Sequence, residues 1–199
     1  MGVAMIAASL LACAPNVAPA TLEAVISVES GGNPLALNVN GLAAQPPPAR
    51  DVRDAARVAA SFIARGYSVD LGLMQVNSRN LVELGLTVQQ VLDPCTNIRG
   101  GATILAADYA EAARTRGEGQ PALQAALSAY NTGDFYRGFA NGYVAHYYGP
   151  GGVPGLTHSE RDAIASGKTA DPAKVPRPAN PFTADTSVFV REAANVRIE

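Results

Sequence analysis

Tryptophan is absent from this 199-residue chain, aromatic residues make up only 6%, and histidine and cysteine occur twice each. So few soft ligands exclude a zinc or iron–sulfur centre of the usual kinds, and without a Cys-x-x-Cys pair a redox-catalytic role has no basis. No metal and no cofactor are therefore expected. A large excess of either charge sign is missing too: 15 Lys and Arg stand against 17 Asp and Glu, a formal net charge of −2. That balance offers no electrostatic footprint for nucleic acid or an anionic membrane. Long apolar runs are also lacking. The longest, Val3 to Ala14, is interrupted by Ser9 and falls short of a membrane span.

No Lys or Arg precedes that run, so it lacks the basic start of a secretory signal. Leu10-Leu11-Ala12-Cys13 has the look of a lipoprotein cleavage box, but the segment reads as an amphipathic first helix carrying Cys13 at its end. What the chain has in quantity is alanine, around Ala55, Ala106 and Ala126, and alanine favours helices because it loses no side-chain entropy there.

The pattern predicts a mostly helical α+β domain over residues 1–152. Thr21 reads as an N-cap opening a helix whose apolar stripe is Leu22, Val25 and Ile26, stopped by Gly31-Gly32-Asn33-Pro34. Leu35 to Val39 alternates like a strand, and Asn40-Gly41 carries a turn signal. Asp51 caps a helix ending before Gly66, and Tyr67 to Leu71 reads as the returning strand, giving a small hairpin lobe interrupted by a helix. Further helices are expected from Thr87, from about Thr96 to Arg114 after a break at Pro94-Cys95, and from near Pro121 to Tyr130. A helical spacing continues through Tyr136, Tyr143 and Tyr147. Residues 153–199, with five prolines and little periodicity, read as a flexible tail whose one structured patch is Ser187 to Val190.

Glu29 occupies the next position on the stripe of Leu22, Val25 and Ile26, in the last turn of its helix. Apolar surroundings and the negative end of a helix both disfavour an ionised carboxylate. A carboxyl kept protonated near neutrality can serve as a general acid. A solvent-facing terminal Glu, or one paired with an arginine such as Arg79, fits the periodicity as well.

Four further stretches bear on that choice. Glu29-Ser30-Gly31-Gly32-Asn33-Pro34, Gly72-Leu73-Met74-Gln75, Ala129-Tyr130-Asn131 and Tyr143-Val144 occur in that order. Together they resemble the signatures of the soluble lytic transglycosylases, which have a lysozyme-like fold, and the resemblance spans about residues 13–148. Cys13-Ala14-Pro15, Ser68 to Asn77 and Leu92 to Asn97 are similar to the branch that serves type IV secretion and conjugation systems, opening the cell wall locally for the transport machine. The resemblance implies Glu29 as catalytic acid and base, with Ser30, Gln75, Tyr130, Asn131 and Tyr143 binding glycan. It also implies a structural Cys13–Cys95 disulfide and a periplasmic or cell-envelope location.

Asp70 stands apart, because Asp70 to Arg79 also resembles the strand segment of chicken-type lysozymes, where the matching aspartate is the second catalytic carboxylate. That leaves a hydrolytic muramidase using Glu29 and Asp70 as one alternative and a peptidoglycan-binding assembly factor as another; Asp70 itself is expected among the glycan-binding groups. Peptidoglycan strands are the expected partner; for the tail, a disordered extension stands as the first reading, with docking on secretion-system components by strand addition as the alternative.

Overall fold

Proline and glycine set most of the element boundaries in this chain. A computed structural model describes residues 8–148. The tail reading, the boundary at residue 152 and the patch at Ser187 to Val190 lie outside the described residues. The elements are α1 (Ala8–Leu11), α2 (Pro19–Ser30), β1 (Leu37–Val39), α3 (Val52–Ile63), β2 (Val69–Leu71), β3 (Val76–Asn77), α4 (Val88–Val91), α5 (Pro94–Arg116), α6 (Gln120–Thr132), α7 (Arg137–Ala140) and α8 (Ala145–Tyr148). Helices make up most of these elements, with one small antiparallel sheet, consistent with a lysozyme-like α+β fold.

Among the described residues two compact units emerge, the first from residues 8–14 together with Val25–Thr103, the second from Pro15–Ala24 together with residues 104–148. In the first, the sheet runs in the order β1-β2-β3. Asn38 stands opposite Asp70, and Asp70 opposite Asn77, so one row of the sheet is entirely polar. The flanking positions Val39, Val69, Leu71 and Val76 are buried, as the two-residue period of a strand demands. The helix α3 lies against this sheet, and Asp51 caps it by accepting from the Asp54 N–H at 2.8 Å. A disulfide joins Cys13 to Cys95 across 82 residues of sequence. Its sulfur is thereby committed, so Cys13 cannot also carry the thioether of a lipoprotein.

The second unit is built on α6, whose buried face comprises Ala122, Leu123, Ala125, Ala126, Leu127, Ser128 and Ala129. Gly133 ends it in the left-handed conformation at φ 69°, where its N–H reaches the Ala129 carbonyl.

Several boundaries differ from the expectations. Thr21 is not a cap: α2 begins at Pro19, and Thr21 is 1% exposed inside the helix. The break at Pro94-Cys95 is a helix start, since proline at the first helical position gives up an N–H that has no intrahelical partner anyway. The strand after Pro34 is shorter than expected. The spacing through Tyr136 and Tyr147 is carried by two short helices, because Gly142 at φ 84° turns the chain between them.

Candidate active site

Glu29 sits half-buried in the last turn of α2, after Leu22, Val25 and Ile26, all 0% exposed. Gly31 and Gly32 end the helix at φ 60° and 82°, a pair of left-handed residues that side chains would strain. Ser30 then fastens this helix end. Its hydroxyl donates to the Leu73 carbonyl at 2.7 Å, with the Ile26 carbonyl a longer alternative at 3.1 Å, and it accepts from the Gly32 N–H at 3.2 Å. The residue beside Glu29 therefore ties it to the Gly72–Gln75 loop. Ser30 is a positioning group here.

That loop is held from beneath by Asn97, which is 1% exposed. Its Nδ2 donates to the carbonyls of Leu71 at 2.7 Å and Val91 at 2.8 Å, while its Oδ1 accepts from the Met74 N–H at 2.8 Å. Gly72 is required twice over. Its φ is 73°, and a Cβ at that position would collide with the Asn97 amide. Met74 is fully buried, a core residue under the loop. Gln75 adopts φ 47°, the one left-handed residue other than glycine among the described residues, at a cost of about 1–2 kcal/mol. Its Nε2 donates to the carbonyls of Gly72 at 2.9 Å and Ala36 at 3.2 Å, which fix the side chain and leave Oε1 as an available acceptor. Strain maintained by surrounding bonds is characteristic of ligand-contacting segments.

Asp70 lies on the polar row of the sheet. Its Oδ2 accepts from Asn38 Nδ2 at 3.1 Å and Asn40 Nδ2 at 2.9 Å, and its Oδ1 accepts from Asn77 Nδ2 at 2.6 Å. Three amides thus orient one carboxylate. Asn38 and Asn40 keep their carbonyl oxygens on an exposed surface, acceptors suited to sugar hydroxyl and acetamido groups, while Asn77 Oδ1 accepts from the Arg79 N–H at 3.0 Å.

The second unit carries the other three expected residues. Tyr130 is half-buried in the last turns of α6, and Asn131 is exposed beside it. Asn131 lies within the helix, since the cap is Gly133, and its Oδ1 receives Asn141 Nδ2 at 3.4 Å. Tyr143 shares a hydroxyl hydrogen bond of 2.7 Å with the fully buried Tyr147, their rings edge-on at 5.3 Å. Away from these groups, burial pushes the Asp108 carboxyl in α5 up to about 6.

Sequence reasoning did not single out Asn97, whose partners lie 6, 23 and 26 residues away, nor the joint hold of Asn38, Asn40 and Asn77 on Asp70. The alternation of polar residues in β1 and β3 could have pointed to the second of these.

The Transglycosylase SLT domain model matches residues 7–147. Protein virB1 of Agrobacterium fabrum is 45% identical over 132 residues, covering 66% of this chain and 53% of the relative. The type IV secretion system protein virB1 of Brucella abortus biovar 1 is 43% identical over 130 residues, covering 64% and 53%. The chain thus spans about half the length of these curated relatives. No solved structure matches it.

Proposed function

The chain belongs to the Transglycosylase SLT domain family, and from that membership we propose that it is a peptidoglycan lytic transglycosylase with Glu29 as its single catalytic acid and base. The observation that carries this reading is the 2.7 Å bond from Ser30 to Leu73, which joins the helix end bearing Glu29 to the strained loop bearing Gln75. Protonated Glu29 donates to the glycosidic oxygen between N-acetylmuramic acid and N-acetylglucosamine. The substrate's own acetamido oxygen shields the positive charge developing at C1. The Glu29 carboxylate then takes the proton from the muramic acid C6 hydroxyl, whose oxygen attacks C1 and closes a 1,6-anhydro ring. One bond breaks, one forms, Glu29 regains its proton and no water is consumed.

In this proposal Asp70, both of whose oxygens accept from asparagine amides, is a hub for glycan contacts. Gln75, Tyr130, Asn131 and Tyr143 are the further glycan-binding residues in this proposal. The substrate requires a periplasmic or cell-envelope location. The names of the Brucella relatives support a role in opening the wall for a type IV secretion apparatus. Incubation with purified sacculi tests the chemistry: release of 1,6-anhydro-muropeptides is expected, and products ending in reducing muramic acid would overturn it.

A further inference from the structure

The corner between α6 and α7 is built more firmly than a surface turn needs to be. Ser128, fully buried, donates to the Asp134 carbonyl at 2.6 Å and accepts from the Gly138 N–H at 2.8 Å. Thr132 donates to the Ser128 carbonyl at 2.7 Å and accepts from the Asp134 N–H at 3.1 Å. The Asp134 carboxylate accepts from the N–H groups of Tyr136 and Arg137 at 2.8 and 2.9 Å, bonds that hold it below the usual carboxylate range. A side chain at Gly138 would strike the Ser128 backbone and side chain, so the two segments touch directly.

This rigid corner displays apolar surface. Tyr136 is 70% exposed and Phe139 46%. The Arg116 guanidinium lies 4.6 Å from the Tyr136 ring centroid and 5.9 Å from that of Phe135, and Arg137 follows Tyr136 in the chain. Among the described residues neither arginine is in a salt bridge, whereas Arg114 is paired with Glu111. The acidic groups nearby in the chain are Asp134, turned onto the backbone, and the exposed Glu118. The corner thus offers an exposed aromatic ring with one guanidinium stacked over it and a second next to it in the chain, the latter also acting on the Asp134 carboxylate.

We infer that this corner is a second recognition surface for peptidoglycan, one that reads the carboxylates of its peptide stems. The inference rests on the function proposed above. Guanidinium groups match carboxylates in shape and charge, and the pinned Arg116 loses little freedom in binding one. The Tyr136 ring face away from Arg116 offers an apolar floor for stem side chains. Asn141, just beyond α7, bonds Asn131, so the corner is continuous with a residue assigned to the glycan. A strand held at Asn131 carries its stems toward the arginines.

The test compares wild type with Arg116→Gln/Arg137→Gln in the full chain, on intact sacculi and on glycan strands stripped of stems by an amidase. On intact sacculi at low salt the double variant should lose about tenfold in rate at limiting substrate, and high salt should erase that difference. On stripped strands the two proteins should cleave equally. Equal loss on both substrates, or no loss on intact sacculi, would overturn the inference. Co-sedimentation with sacculi separates this from the function itself. If wild type binds but cleaves neither substrate, the catalytic reading fails, while stem recognition stands if the variant alone fails to sediment. Tyr136→Ala should weaken sedimentation in the same direction. Binding to vesicles of anionic phospholipid as strong as to sacculi would assign the corner to a lipid surface and refute the stem reading.

Discussion

Replacing Asn97 by alanine should unfold the loop that Glu29's helix end leans on. The change removes partners from the Met74 N–H and from the carbonyls of Leu71 and Val91, all bonds of 2.7–2.8 Å around a side chain 1% exposed. A buried polar group deprived of its bond costs about 1–3 kcal/mol, and a carbonyl with other contacts costs toward the low end. Three such losses, partly relieved by an entering water, come to roughly 3–5 kcal/mol, a large part of a stability of about 5–15 kcal/mol. For a domain of this size that lowers Tm by roughly 10–15 °C. Asn97→Asp is the sharper probe. It keeps an acceptor for Met74 but turns carboxylate lone pairs toward two carbonyls, so it should match or exceed the alanine loss at neutral pH and recover partly in acid, where one oxygen can donate. Urea denaturation with the disulfide intact gives the free energies, and hydrogen exchange at Met74 locates the effect. A loss below about 1 kcal/mol with Met74 protection unchanged would refute the reasoning.

Three other outcomes follow from the same geometry. Asp108 carries a folded-state pKa of about 6, above its value of 3.8 in an unfolded chain, so the folded protein holds the extra proton between those values. Its stability contribution is therefore fullest below pH 4, falls as pH rises to 6, and is flat beyond. Asp108→Asn should gain about 2–3 kcal/mol at pH 7.5 and nearly nothing at pH 3.5; a pH-independent difference in urea titrations would contradict this. Cys13→Ser opens a loop of 82 residues and should cost about 4–5 kcal/mol in the chain-entropy description, read as a matching loss on reduction of the wild type. A midpoint insensitive to reductant would count against it. Asp70→Asn should slow sacculus cleavage by about tenfold to a hundredfold through loosened asparagines, whereas complete loss would restore Asp70 as a nucleophile.

The helix end that bears Glu29 was more legible in the sequence than the supports beneath the neighbouring loop. Glu29 could be placed because its helix stop, Gly31-Gly32-Asn33-Pro34, is local and chemically unambiguous. The pairing of the two strands around α3 was visible for the same reason, through the turn residues and alternation that bound it. Pro94 was misread as a break because a proline that starts a helix and one that interrupts it look alike until the preceding turn is known. Gly142 divides what a regular spacing of tyrosines suggests is one helix. Asn97 offers no local cue, since an asparagine early in a helix is unremarkable until distant carbonyls converge on it. The hold on Asp70 likewise depends on register, and the facing of Asn38 and Asn77 emerges only when the strands pair.

Muropeptide mass spectrometry on sacculi digested by wild-type and Glu29→Gln protein bears most directly on the role of Glu29. Wild type should release products one water lighter than reducing-end muropeptides, and the variant, isosteric but unable to exchange the proton, should fall by about a thousandfold or more. Undiminished cleavage by Glu29→Gln would remove Glu29 from the chemistry. Reducing-end products from the wild type would make the enzyme a hydrolase.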